Sequence, residues 1–404
     1  MKVDLYALRQ QWRNWNYLIP GGVLHFAQLC PDFNPFAADL ALFEECLEDH
    51  PEPDWGIRDV FAHGKTFPVT EEVVVDFPFC RLIHFKGEGR KGLPKVFIVA
   101  PLSGHYATLL RETVQSFLSD HEVFITDWKN SQQVPLSVGA FSLHDYVNYL
   151  KFFFQNIARK GKFHVVAVCQ PAVPTIVAVA LLAQEGSGIS KKITSMTLIG
   201  GPVDARCNPT RVNELALTHS VEWFEERLIH SVPSEYSGGG RQVYPGFMSL
   251  TNFVNVDRSL HTKAYRDHMP SMFHPALEDT EKFKKFYAEF NAVMDLPGEY
   301  YLQTVENVFR QFLLARGCWR TEEGVLVDPK AITTTALFTI EGAKDTIAGV
   351  GQTEAAHKLV SSIPNRMRAR YLAPGGHYSV FSGSHFREVI YPKIRDFFVF
   401  HEKK

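Results

Sequence analysis

Residues 163–184, FHVVAVCQPAVPTIVAVALLAQ, hold the clearest structural signal in the chain. The opening run is apolar with almost no alternation, the pattern of a strand covered on both faces. Pro171 then falls where a helix begins. A proline in the first turn lacks only an N–H that would have no intrahelical partner, and its φ is already helical. From Ala172 to Gln184 the residues are small or aliphatic almost throughout and read as one buried helix. A strand that passes straight into a helix must turn sharply, and the residue left at the turn is Cys169.

Similar apolar runs lie on both sides: KVFIVAP (95–101) and EVFITDW (122–128) before it, then ITSMTLIGG (193–201), ITTTALFTIEG (332–342) and RARYLAP (368–374) after it. A further β-rich stretch, VVVDFPFCRLIHF (73–85), precedes them all. Thr108 to Leu118 and Ser142 to Ala158 carry helical periodicity, and an amphipathic helix from about Ser384 to Phe400 closes the chain. Short apolar strands alternating with helices make an α/β fold, a mostly parallel sheet with helices on both faces. The alternation stops after Gly201. Residues 205–331 contain four helix-like pieces, near 211–230, 248–266, 276–294 and 299–316, rich in His, Phe, Tyr and Met. A helical block inserted between two strands of such a sheet reads as a cap. At the other end Leu5, Leu8, Trp12 and Trp15, then Leu40, Phe43 and Leu47, are spaced as on helices, broken by Pro31, Pro35, Pro51 and Pro53. The expected organisation is a helical arm over 1–70, a first part of the core over 71–204, the helical cap over 205–331, and the rest of the core over 332–404.

Composition narrows the class of function. The chain has 404 residues, 45% of them hydrophobic, enough to bury a core without disulfide staples. Lys plus Arg (42) nearly balances Asp plus Glu (44), so there is no electrostatic reason to expect a nucleic acid partner. The longest apolar run, Ala172 to Ala183, is too short to span a bilayer. Asp4, Arg9 and Arg13 interrupt the stretch that a secretory leader would need apolar. Cys30, Cys46, Cys80, Cys169, Cys207 and Cys318 show neither CxxC pairs nor zinc-ligand spacing, so a reducing compartment and no metal site are expected.

The turn at Cys169 has the geometry that presents a nucleophile above a sheet. The usual pattern there is G-x-S-x-G; here Ala167 and Pro171 stand for the glycines and Cys169 for the serine. A helix N-terminus beyond the cysteine favours its thiolate, and the backbone N–H of Gln170 is placed as an oxyanion donor. On such a fold the acid follows a later strand and the histidine the last one. Asp345 lies in the turn after one strand and His377 in the Gly375-Gly376 loop after the next, which completes the set Cys169, Asp345 and His377. Glu341, nearer the strand end, is the rival carboxylate. The second oxyanion donor falls to the backbone N–H of Leu102 or Ser103, in the loop after KVFIV. His105 in the same loop and Trp128 at the end of EVFITDW are candidates for the substrate pocket, His105 reading equally as a helix cap and Trp128 as a strand terminus. Together these positions describe an α/β-hydrolase fold with an inserted cap.

PLSGHYATLLRETV (101–114), VFITDWKNSQQVPLSVGAFSLHDYV (123–147), VVAVCQPAVP (165–174) and GGHYSVFSG (375–383) resemble the intracellular polyhydroxybutyrate (PHB) depolymerases of bacteria. The resemblance covers most of the chain, the N-terminal region being least diagnostic. It implies a Cys-Asp-His triad on Cys169, Asp345 and His377, and action on poly(3-hydroxybutyrate) granules or 3-hydroxybutyrate oligomers in the cytoplasm. The chemistry passes through a thioester and calls for no metal or redox cofactor; water, or coenzyme A as a thiol, takes the acyl group. Other readings stay open. Polyester synthases share the triad but carry G-x-C-x-G, against A-V-C-Q-P here. Dienelactone-type hydrolases are shorter and lack so large a cap. A non-catalytic granule-binding protein on the same fold is the third.

Overall fold

In the computed structural model, which describes residues 4–18, 42–273 and 279–402, the main sheet starts with an antiparallel ribbon: β1 (Asp59–Ala62), β2 (Lys65–Asp76) and β3 (Cys80–Gly87). β4 (Lys95–Val99), β5 (Glu122–Trp128), β6 (Phe163–Val168) and β7 (Ile193–Ile199) form its middle. β8 (His230–Ser231), β9 (Gln242–Tyr244) and β10 (Leu296–Pro297) pair in a separate small sheet. β11 (Ala336–Gly342) and β12 (Arg368–Ala373) complete the large one.

The order across the large sheet is β1-β2-β3-β5-β4-β6-β7-β11-β12. It is parallel from β5 to β12, while β3 runs antiparallel to β5. The chain steps back once, from β4 to β5, and then forward to β6. The right-handed crossovers before and after β5 lead to opposite faces. Helix Arg111–Leu118 and the C-terminal helix Tyr391–Glu402 share one face, where Phe117 stacks on Phe398 at 6.0 Å. Helices Leu143–Ala158 and Ala172–Gln184 pack together on the other. This is the α/β-hydrolase fold.

Local sequence explains the elements that support the site. Every residue of β6 is buried, as its unbroken apolar run requires. Helix Leu143–Ala158 starts at a capping box, in which Ser142 and Asp145 satisfy each other's backbone N–H groups. Helix Ala172–Gln184 is buried from Ala172 through Leu182, in keeping with a helix apolar on all sides.

Two parts differ from the sequence expectation. The sheet begins at Asp59, inside the stretch assigned to the N-terminal arm. His63 and Gly64, both at positive φ (49° and 76°), make a two-residue hairpin turn between β1 and β2. Such a turn matches the twist of paired strands, and the His-Gly step was its only sequence signal. The helix Leu5–Leu18 is present in the arm, while Pro31, Pro35 and Leu40 lie outside the described residues. The insertion between β7 and β11 is not all helical, because it also carries β8, β9 and β10. These strands are two or three residues long, below the length at which hydrophobic alternation can be recognised. Among the described residues no helix is long and apolar enough to cross a membrane.

Candidate active site

Cys169 sits at the turn from β6 into helix Ala172–Gln184 with φ at +67°, one of four non-glycine residues described in the left-handed region. Such a conformation persists only where its surroundings hold it. Its N–H donates to the Ile199 carbonyl at 2.7 Å, and its own carbonyl accepts from Ala172 N at 3.1 Å. Pro171 is the residue just before the helix, with φ at −65°, and its carbonyl accepts the first helical bond, from Thr175 N at 2.9 Å. The end of β7 lies hard against this turn. A Cβ on Gly201 would stand 2.2 Å from the Ala172 Cβ and 2.8 Å from the Cys169 carbonyl oxygen, so only glycine allows the approach.

The acid and the histidine are held in two loops bonded to each other: Ala343 N donates to Ala373 O at 2.7 Å and Lys344 N to Gly375 O at 3.0 Å. Both oxygens of Asp345 are used. Oδ1 accepts from Ile347 N (2.8 Å) and Ala348 N (2.9 Å), and Oδ2 accepts from His377 Nδ1 at 2.7 Å. The carboxylate is fully buried. Cys169 and His377 line the same cavity. Burial is the largest influence on His377 and opposes its protonation, but the charges and hydrogen bonds of Cys169 and Asp345 outweigh it and raise the pKa to about 10. The structure therefore brings Cys169, His377 and Asp345 together, with His377 hydrogen-bonded to Asp345 and its cationic form favoured.

Glu341 is also buried, but it faces elsewhere. Its oxygens accept from Gly351 N (2.9 Å), Thr353 N (2.8 Å) and Glu354 N (2.9 Å), which ties down the chain after the Asp345 turn.

Above Cys169 lies a cavity of ≈ 420 Å³. Leu102, Ser103 and Gln170 line it, and among the described residues nothing accepts a hydrogen bond from their backbone N–H groups. Unengaged backbone donors of this kind are what a developing oxyanion needs. Its other walls come from the insertion: Tyr244, Phe253, Tyr300, Tyr301 and Phe309 all contribute. His105 lines the cavity as well. Trp128 does not. It is fully buried, stacked on Tyr146 at 4.5 Å, and its indole N–H donates to the Ala100 carbonyl at 2.9 Å, so it braces the loop that carries Leu102 and Ser103 without reaching the cavity. β5 is buried almost throughout, and its sequence gives no sign of which side chains face the site. Sequence reasoning passed over Tyr378 and Phe381, which line the cavity next to His377. Their place in the same glycine-flanked loop was the signal available. Among the described residues no group of three or more His, Cys, Asp or Glu side chains is placed to hold a metal ion.

Residues 200–402 match a family model described as PHB de-polymerase C-terminus. No curated protein matches the sequence. Among solved structures, the chain is similar to naproxen esterase from Bacillus subtilis at 11% identity, covering 89% of this chain and 97% of that one, with a TM-score of 0.44. A hydrolase from Pseudomonas aeruginosa is similar at 13% identity, with 82% and 98% covered and a TM-score of 0.43. A thermophilic esterase from Thermogutta terrifontis is similar at 14% identity, with 84% and 96% covered and a TM-score of 0.41.

Proposed function

This chain belongs to the PHB de-polymerase C-terminus family, and on that premise we propose that it hydrolyses poly(3-hydroxybutyrate) with Cys169 as nucleophile, His377 as acid and base, and Asp345 as the orienting carboxylate. It is an ester hydrolase of the α/β-hydrolase fold. The observation that carries the finer reading is the hydrogen-bonded pair His377–Asp345 beside the Cys169 turn at the floor of an apolar cavity.

In the first half of the reaction the Cys169 Sγ forms a bond to the carbonyl carbon of a 3-hydroxybutyrate ester. The negative charge moves to the carbonyl oxygen, where the N–H groups of Gln170 and of Leu102 or Ser103 receive it. The C–O bond breaks, and the departing alkoxide takes the proton of His377. In the second half His377 takes a proton from water, the new C–O bond forms, the C–S bond of the thioester breaks and the thiolate returns. Asp345 keeps Nδ1–H donating to it throughout, so the other ring nitrogen is the one that exchanges protons with the thiol, the alcohol and the water. Coenzyme A is the alternative acceptor, since a thiol can replace water in the second half. The place of work that goes with this substrate is the surface of polymer granules in the cytoplasm.

The test is product analysis by mass after incubation with amorphous polymer granules, with and without coenzyme A. Wild type releases 3-hydroxybutyrate or its oligomers, and Cys169→Ala releases none. Release by the alanine variant at the wild-type rate contradicts the assignment, and a coenzyme A ester as the main product moves the reaction to thiolysis.

A further inference from the structure

Among the described residues that line the cavity, Arg211 carries the one permanent charge, with no Lys, Asp or Glu beside it. Arg211 is exposed, so it stands where the cavity opens to solvent. An arginine in such a place lays its apolar stem along the wall and keeps its guanidinium in the opening. Among the described residues its side chain has neither an ion-pair nor a hydrogen-bond partner.

The helix that carries Arg211 does not account for the charge. Arg211 is the first residue of helix Arg211–Thr218, just after Thr210 of a Thr210–Asn213 capping box, and a cation at a helix start opposes the macrodipole. Position is well defined there. The Thr210 hydroxyl donates to the Ile347 carbonyl at 3.1 Å, which ties the helix start to the loop after Asp345, and Ile347 itself lines the cavity. The Asp257 carboxylate also contacts this loop, accepting from the Thr346 hydroxyl at 3.2 Å, and makes no ion pair with Arg211. The opening therefore presents a fixed, unneutralised cation on the side of the catalytic acid.

A linear polyester has one group that matches it. Interior units carry no charge, and one end is a neutral hydroxyl. At neutral pH the other end is a carboxylate, the planar anion a guanidinium binds best.

Resting on the polyester reading above, we propose that Arg211 receives the terminal carboxylate of the substrate, so that chains are shortened from that end. The carboxylate end lies on the alcohol side of every ester bond. With it held at Arg211, the short segment reaching down to Cys169 is the alcohol that leaves, and the hydroxyl-ended remainder is the acyl group that Cys169 carries.

Two linear 3-hydroxybutyrate oligomers of equal length test this, one ending in a free carboxylate and one in the neutral carboxamide. Water is the only acceptor, so the phosphates of coenzyme A, the other anions that could meet Arg211, are absent. Wild type is expected to show kcat/KM about fivefold higher on the carboxylate, with the difference in KM because Arg211 binds ground state and transition state alike. Salt should shrink the preference, since an exposed charge pair is screened. Arg211→Gln brings the ratio of the two oligomers to about one, and Arg211→Lys, which keeps the charge without the fork, recovers part of it. A variant that folds poorly lowers both rates together, so the ratio reads recognition and not stability. Equal kcat/KM on the two oligomers with wild type overturns the inference, and so does a preference that survives in Arg211→Gln. A rate that responds to Arg211→Gln only once coenzyme A is added overturns it too, and assigns the cation to phosphate. Wild type that cleaves neither oligomer overturns the polyester reading itself, and this inference with it.

Discussion

The floor and the roof of the cavity are built on different physical terms. On the floor, Cys169, Gly200, Asp345 and His377 come from the loops after four neighbouring strands, β6, β7, β11 and β12. A positive φ at Cys169, a glycine approach too close for any Cβ and the directed hydrogen bonds of Asp345 hold them. The roof comes from the insertion, and packing holds it: Tyr244 and Tyr301 stack at 4.1 Å, and Tyr300 lies over Tyr146 at 5.6 Å. Directional constraints fix a few atoms to fractions of an ångström, whereas packing fixes a shape and tolerates exchange among side chains of similar volume. Changes on the floor should therefore abolish chemistry, and changes on the roof should alter which esters enter.

The sharpest contrast is between two buried carboxylates four residues apart, one bonded to His377 and one turned away from it. Asp345→Asn removes the charge that orients and stabilises the His377 cation, and kcat should fall by about ten-thousand-fold while the fold survives. Glu341→Gln should leave turnover per folded molecule within a few-fold, since its oxygens reach backbone N–H groups and not the histidine. Steady-state kinetics on a soluble ester decides between them, and a crippled Glu341→Gln beside an active Asp345→Asn would exchange their roles.

On the roof, Val212 and Leu215 line the cavity and are 37% and 42% exposed, and Leu217 beside them is 50% exposed. Among the described residues Phe286 is the one large exposed aromatic there, and the apolar rim is aliphatic. Leu215→Ser with Leu217→Ser should lower granule turnover about tenfold, because less apolar surface leaves water at each binding event. Soluble-ester turnover should stay within about twofold of wild type, since a small ester has no granule surface to adsorb to. A parallel fall on both substrates would make the rim structural.

Glu341→Gln has a second, smaller consequence. Replacing a buried carboxylate that accepts three N–H groups should cost about 2 kcal/mol, measured as a lower Tm.

The smallest effect concerns His377. Its raised pKa means that the folded protein binds the proton more tightly than the unfolded chain does. The stability this contributes is complete below the ordinary value of 6.5 and is lost as pH rises through about 10. Cys169→Ala removes the foremost of the influences that raise the pKa, so the His377 ring should titrate well below 10 in that variant. An NMR titration with no shift would mean that no ion pair exists between them.

How much of this could be read in the sequence follows the same division. The elbow was legible because its signals are local: an apolar strand, a cysteine and a proline at a helix start occupy consecutive positions. Asp345 and His377 could be placed because each follows a strand in a short loop with glycine or a turn residue beside it. Trp128 was misplaced because a strand buried on both faces carries no alternation to show which way its last side chain turns. The sheet was begun too late because the β1–β2 hairpin announces itself only by His63-Gly64. The roof could be located but not described, since which aromatics reach the cavity depends on how its helices pack around three very short strands, and packing has no sequence period.

Cys169 as the acyl carrier is tested most directly by rapid acid quench of wild type mixed with a 3-hydroxybutyrate oligomer, followed by peptide mass analysis. A hydroxyacyl group in thioester linkage on the peptide that contains Cys169 is the predicted result; the acyl group on any other residue contradicts it.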